Sequence, residues 1–243
     1  MIAALLLLSV LSAAADTGTS ILRLSPTGPA GVGMTGDEKS KEHVYYTSAE
    51  DDQVQAGVWE APPYTSGPHE AGYSEFMYLL EGSVTLVDKD GREETFRAGD
   101  AILVPRGTEY TWKQTETVRK YWVIFDRKGE APSIRPTFLR IEPDGPAGQG
   151  LAGEGRTRYH TYYETADEKQ SVGVWETKPH TSADFHRTKY AELMVLKGSV
   201  SLIGKDGREQ KFEAGEVVLV PKGIEYKWKG DTVRKYWVIF DPS

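Results

Sequence analysis

The chain has 243 residues, 39% of them hydrophobic and 27% charged, with a net charge of −7 and no cysteine. Disulfide scaffolds and thiol chemistry are thereby excluded. A net negative chain without a basic block argues against nucleic acid as a partner.

In chain order, residues 1–15 read as a signal peptide. Residues 2–11 form an apolar run, and Ala13-Ala14-Ala15 then offers a small-residue cleavage site before Asp16. The run is shorter than the about 20 apolar residues a membrane helix needs, and no later segment is apolar enough to span a bilayer. The expectation is a secreted or periplasmic protein with no membrane partner.

The remainder is written twice. "LRLSPTGPAGVG" (Leu22–Gly33) returns as "LRIEPDGPAGQG" (Leu139–Gly150), and "GVWE" at Gly57–Glu60 returns at Gly173–Glu176. "KDGREETFRAGDAILVPRGTEYTW" (Lys89–Trp112) returns as "KDGREQKFEAGEVVLVPKGIEYKW" (Lys205–Trp228). "TVRKYWVIFD" is identical at Thr117–Asp126 and Thr232–Asp241. A repeat of this length is a domain, not a solenoid unit. Residues 20–126 therefore form one domain and 137–243 the other, joined by a charged, proline-bearing linker at 127–136.

Each copy reads as all-β, with short apolar runs between turn signals and no amphipathic helix. "SVTLVDKDGREETF" is a hairpin turning at Asp90-Gly91. "AILVPRG" is a strand stopped by Pro105 and Gly107, and "VRKYWVIFD" is a run of β-branched and aromatic residues. Such strands build a sandwich or barrel, and two tandem copies can share sheets to leave fewer edges exposed.

Histidine occurs five times, yet two fall in one repeated frame: "HEAGYSEFM" (His69–Met77) and "HRTKYAELM" (His186–Met194), both H-x3-Y-x-E-[FL]-M. Glu75 followed by Gly82, with Gly99-x5-Pro105-x-Gly107 and Gly215-x5-Pro221-x-Gly223, resembles the two motifs of the cupin superfamily. Together with "GVWE" and "VRKYWVI", these pieces are most similar to the (S)-ureidoglycine aminohydrolase cupin-domain family. The resemblance implies two tandem jelly-roll β-barrels, a bicupin. It also implies removal of ammonia from a ureido compound, a metal-dependent reaction whose usual ligands are only partly present here. Ala71 and Thr188 stand where the motif has its second histidine, and Tyr110 and Tyr226 replace the histidine of the second motif. Only five residues separate Glu192 from Gly198, one fewer than in the first copy. A one-residue change reverses the faces of a strand unless a bulge absorbs it, so the orientation of Glu192 is left open.

Three readings of the frame follow. In the first, His69, Glu75 and Tyr110 hold a divalent metal, with Mn, Fe or Zn suiting such ligands. Against it, tyrosine is a poor ligand near neutral pH, since its phenol titrates at about 10. In the second, the lumen is a metal-free pocket for a small polar metabolite. Strand alternation puts Tyr110 and Trp112 on one face, and likewise Tyr226 and Trp228, with Glu75 and Met77 on the opposite wall. His69 and Glu75 are then an acid–base pair or hydrogen-bond anchors. Tyr73 belongs to the same wall, as do His186, Tyr190 and Glu192 in the second copy. Arg119 and Arg234, if inward, each hold a ligand carboxylate, the alternative being a solvent-facing arginine with Lys120 inward-leaning or exposed. In the third, the frame only packs a non-catalytic ligand-sensing or structural barrel. Trp59 and Trp175 are read as core, and the first copy is the preferred site. Expected partners are a small-molecule ligand and, at most, a second copy of the chain in a homodimer.

Overall fold

A computed structural model describes residues 20–48, 54–125, 137–165, 169–188 and 191–240. The leader at 1–15, the linker at 127–136 and Tyr190 lie outside the described residues. Within them there is no helix, and the strand pairings are antiparallel. Each repeat folds into a large and a small sheet facing one another. In the first, the large sheet runs Leu139–Ile141, Ala101–Val104, Ser74–Glu81, Val118–Phe125, Gln55–Ala61, Lys41–Thr47 and Thr35–Gly36. Its small sheet holds Tyr64–Thr65, Glu109–Gln114, Ser83–Asp88 and Glu93–Arg97, with His69–Glu70 also paired to Glu109–Gln114. The second repeat has the same plan, except that an isolated bridge between Ala152 and Tyr159 stands in place of the edge strand Thr35–Gly36.

The expected hairpin forms between Ser83–Asp88 and Glu93–Arg97, and Gly91 takes the positive φ of 83° that its turn requires. The Asp88 carboxylate closes that turn by accepting hydrogen bonds from the backbone amides of Asp90 and Arg92.

The large sheets are buried on both faces. Inward, Met77, Leu79, Ile102, Val104 and Val118 meet Val84, Leu86, Phe96 and Trp112 of the small sheet to fill the first barrel. Outward, Phe76, Tyr78, Leu103, Tyr121, Val123 and Phe125 pack on Val174, Leu193, Val195, Leu219, Tyr236 and Val238 of the second repeat. The two barrels thus lie back to back across one continuous core.

The repeats also exchange strands. Leu22–Leu24, from the first repeat, pairs with Val217–Val220 of the second, Leu22 standing opposite Leu219. Leu139–Ile141, from the second, pairs with Ala101–Val104 of the first, Leu139 standing opposite Leu103. Sharing is therefore reciprocal, and each strand covers an edge that would otherwise be open. Side chains fix both straps. Arg140 pairs with Asp100 at 2.6 Å and lies 4.3 Å over the Phe96 ring, while Arg23 pairs with Glu216 and lies 4.4 Å over Phe212. Leu24 and Ile141 are 2% and 1% exposed, so each contributes about 1.5–3 kcal/mol of burial to a core made by both repeats.

The one-residue difference between the copies is absorbed by a bulge. In the first, Arg119 stands opposite Glu81 but Lys120 opposite Leu79, so Leu80 is the extra residue. In the second, Lys235 stands opposite Leu196 and the ladder runs on without interruption to Glu192 opposite Ile239. The bulge falls beyond the lumen-lining positions, so Glu192 keeps the orientation of Glu75.

Candidate functional site

The lumen of each barrel is centred on a lysine. Strand Val118–Phe125 turns Val118 and Lys120 inward and Arg119 outward. Lys120 is 8% exposed, and its Nζ donates to Glu75 Oε1 at 2.7 Å and to Met77 Sδ at 3.0 Å. The same ammonium stands 5.2 Å from the Trp59 ring and 4.9 Å from the Trp112 ring. The two indoles meet edge to face at 6.2 Å. An ammonium leaving water needs a counter-charge, and here one carboxylate and two π-faces supply it.

The second barrel repeats the arrangement. Lys235 Nζ donates to Glu192 Oε1 at 2.5 Å and to Met194 Sδ at 3.2 Å, with the rings of Trp175 and Trp228 at 5.1 and 5.7 Å. Solvent reaches both centres slightly, the lysine and glutamate side chains being 10% and 13% exposed in one and 10% and 15% in the other.

Two expectations about the strand "VRKYW" are corrected here. Arg119 and Arg234 do not face the lumen. Arg119 is held by Glu60 and, at 2.9 Å, by Glu81, and Arg234 by Glu176 and Asp144. Their guanidinium groups are committed to carboxylates on the other face of the sheet. The inward cations are Lys120 and Lys235, which a sequence reading ranked below the arginines. Trp59 and Trp175, read as core, wall the centres as well.

His69 sits at the barrel mouth, exposed, paired in register with Tyr110. Its Nδ1 donates to the Gly67 carbonyl at 3.1 Å, and its ring packs 4.4 Å from that of Tyr110. His186 is likewise exposed and lies edge-on to Tyr226 at 5.9 Å. The partner of Glu75 is thus Lys120, and that of His69 is a backbone carbonyl, so the expected His69–Glu75 acid–base pair is not assembled. Tyr110 is held well above the usual phenol range, first by burial and then by the charge of Glu75, with Tyr73 and Tyr64 adding to it. Tyr226 is raised by burial and then by Glu192. Both are held as neutral phenols. Tyr73 is half-buried beside this group.

As a metal set, His69, Glu75 and Tyr110 do not fit. The carboxylate already holds an ammonium, the phenol is kept protonated, and the histidine lies outside on the rim. Among the described residues no cluster of three His, Cys, Asp or Glu side chains offers another set.

The rims differ between the copies. Tyr64 lies over Trp59 at 6.3 Å in the first barrel, and His180 takes its place in the second, stacked on Trp228 at 6.2 Å and 13°.

Comparison with known proteins agrees with this architecture. In the structure of a protein with unknown function from Pseudomonas syringae pv. tomato, the match covers 90% of this chain and 99% of that one, with a TM-score of 0.71 at 21% identity. A putative glyoxylate induced protein from Pseudomonas aeruginosa matches over 84% of this chain and 83% of its own, with a TM-score of 0.60 at 13% identity. Oxalate decarboxylase of Bacillus subtilis matches over 93% and 78%, with a TM-score of 0.51 at 12% identity. At these identities the likeness is one of fold. Endoribonuclease YbeY of Myxococcus xanthus (strain DK1622) is 28% identical over 111 residues, 45% of this chain, which spans only 36% of that relative's length. The profile of the EutQ-like cupin domain matches at residues 48–122 and again at 164–237. With both matches falling on the two barrels, the chain belongs to the EutQ-like cupin domain family and carries that domain twice.

Proposed function

We propose that the protein is an exported, metal-independent receptor for a small polar metabolite, bound at the mouth of a barrel above the Lys–Glu–Trp centre. The observation that carries this reading is the ammonium held on the Glu75 carboxylate, and again on Glu192, where a metal ligand was expected. The centre keeps a fixed charge pair at the floor of a lumen that water reaches. Above it, the Tyr110 phenol donates, the second oxygen of Glu75 accepts, and the faces of Trp59 and Trp112 wall apolar parts of a ligand. The resemblance to the (S)-ureidoglycine aminohydrolase cupin-domain family places ureides first among compounds to screen. Export rests on the leader-like residues 1–15, and N-terminal sequencing of the secreted protein tests it. A net charge of −7 without a basic block gives no support to RNA as a ligand, so ribonuclease activity is not proposed.

A structural, ligand-free barrel pair is the second reading, favoured by the packing below the centre, where Leu79, Val84, Leu86, Phe96 and Ile102 are at most 1% exposed. A thermal-shift screen of ureides, amides, polyols and keto acids separates the two. A compound that raises the melting temperature of the wild type but not of a folded Glu75→Gln, Glu192→Gln variant supports the receptor. No stabilising compound, or stabilisation indifferent to both glutamates, rejects it.

A further inference from the structure

Among the buried polar positions at which the two barrels differ, one beside the lumen tryptophan leaves a vacant hydrogen-bond donor in the second. In the first barrel, Trp112 Nε1 donates to Gln114 Oε1 at 2.6 Å. The amide nitrogen of Gln114 donates in turn to the carbonyls of Ala61 at 2.9 Å and Pro62 at 2.7 Å. Gln114, 4% exposed, therefore plugs a slot between the indole and the end of strand Gln55–Ala61. The register identifies its counterpart. Gln114 stands opposite Tyr64, and Gly230 stands opposite His180. Glycine brings no side chain, so Trp228 Nε1, in a residue only 6% exposed, has no partner among the described residues. A buried donor left unmade is costly and rare in a native fold.

The slot lies beneath the surface at Gly230, with Trp228 Nε1 itself buried. A Cβ built on Gly230 lies 3.2 Å from Trp228 Nε1, and Gly230 lines an open depression of about 540 Å³ with Pro179, His180, Thr181 and Ser199. At its far end the backbone of Thr177 and Lys178 corresponds to that of Ala61 and Pro62. The Lys178 carbonyl already accepts from His180 Nδ1 and from Thr177 Oγ1, each at 3.2 Å, and a ligand NH2 would share or displace these donors. One end of the slot thus offers an N–H donor and the other offers carbonyl acceptors. Gln114 shows which group satisfies both ends.

We infer that the second barrel holds a ligand subsite for a carboxamide group, whose oxygen accepts from Trp228 Nε1 and whose NH2 donates to the backbone carbonyls of Thr177 and Lys178. A carboxylate fits worse, because its second oxygen would face those carbonyls. The subsite deepens the receptor reading and rests on it. Its test reads a different group from the glutamate-dependent screen, so either can fail alone.

The experiment is a titration of the full chain, labelled with 15N in its tryptophans, with propanamide, the side-chain analogue of glutamine, and with propanoate as the control. Trp112→Phe and Trp228→Phe variants assign the two indole resonances. Propanamide should move the Trp228 indole N–H saturably and leave that of Trp112 unmoved, while propanoate moves neither. In Gly230→Gln the response should vanish, with the Trp228 resonance shifted towards that of Trp112 before any ligand is added. The converse variant, Gln114→Gly, should make Trp112 responsive, and it keeps the test alive should Gly230→Gln fail to fold. A Trp228 resonance indifferent to propanamide, equally moved by propanoate, or matched by Trp112 in the wild type overturns the subsite.

Discussion

Lys120→Met removes the ammonium from the first barrel and leaves Glu75 facing two indoles and a thioether. With the lysine and glutamate side chains 10% and 13% exposed and 2.7 Å apart, this is a largely desolvated pair. Removing one partner of such a pair costs about 3–5 kcal/mol, because the remaining charge stays buried without compensation. The ammonium also loses its contacts with Trp59 and Trp112, each on the order of 0.5–1 kcal/mol. The expected loss is therefore at least about 4 kcal/mol. For a chain of this size, at about 2–4 °C per kcal/mol, it lowers the melting temperature by roughly 8–16 °C. Glu75→Leu should cost about 3 kcal/mol, since the ammonium keeps its indoles. The double variant should cost no more than about 1 kcal/mol, because apolar side chains of similar volume replace an ion pair with little loss. Urea unfolding at pH 7, followed by tryptophan fluorescence and circular dichroism, gives the cycle its coupling energy. As a control, the exposed pair Lys113–Glu93, with side chains 43% and 54% exposed, should show little or none. A Lys120→Met variant within 1 kcal/mol of wild type, or single losses that simply add in the double variant, would refute the claim that the ammonium and carboxylate depend on each other.

The remaining predictions address other parts of the molecule. After dialysis against Mn2+, Fe2+ or Zn2+ and desalting, mass spectrometry should find well under one equivalent of metal per barrel, the outcome expected of a carboxylate occupied by an ammonium. Gly230→Gln should raise stability by about 1–2 kcal/mol in urea unfolding, by giving the Trp228 indole a partner. Gly57→Ala should lower the melting temperature sharply, costing about 3 kcal/mol, because its Cβ would lie 2.5 Å from the His43 carbonyl oxygen and 2.6 Å from the Trp122 ring. Hydrogen bonds from Arg158 and Arg234 hold the Glu176 carboxyl below its ordinary value of 4.5. Its contribution is complete above that value and is lost as pH falls through the lower, folded one. The stability gap between wild type and Glu176→Gln, on the order of 1 kcal/mol at pH 7, should therefore shrink as urea midpoints are taken from pH 5 towards pH 3.

Much of the architecture was legible in the sequence, because turns and duplications are local. Asp90-Gly91 marks a hairpin whatever lies around it, and identical "TVRKYWVIFD" strands must occupy equivalent places. What lies inward on that strand was not legible. Alternation separates Val118, Lys120 and Trp122 from Arg119, Tyr121 and Val123, but both sets are rich in apolar residues, since the sheet is buried on both faces. Parity therefore gives two faces without saying which is the lumen, and arginine was preferred to lysine on ligand chemistry alone. The orientation of Glu192 was open for a related reason. Whether a missing residue flips a strand depends on where the bulge sits, and the bulge at Leu80 is a property of the ladder. The sharing of sheets was anticipated, but the direction of exchange was not, because nothing local in "LRL" or "LRI" names the sheet it joins. The orphaned Trp228 indole had a visible signal that went unused, the change from Gln114 to Gly230 between strands that otherwise differ only at Thr111 and Lys227.

The reciprocal straps make the chain an interlocked pair instead of two beads on a string. Each sequence repeat carries a piece of the other's barrel, so the unit of duplication and the unit of folding do not coincide. Severing the chain anywhere within residues 127–136 should yield two fragments that stay together through the exchanged strands and the shared core, and that melt as one. Neither repeat expressed by itself can complete its own sheet edge, and its natural remedy is a second copy of itself: a single repeat should form a swapped dimer that restores, without a covalent link, what the full chain does within one molecule.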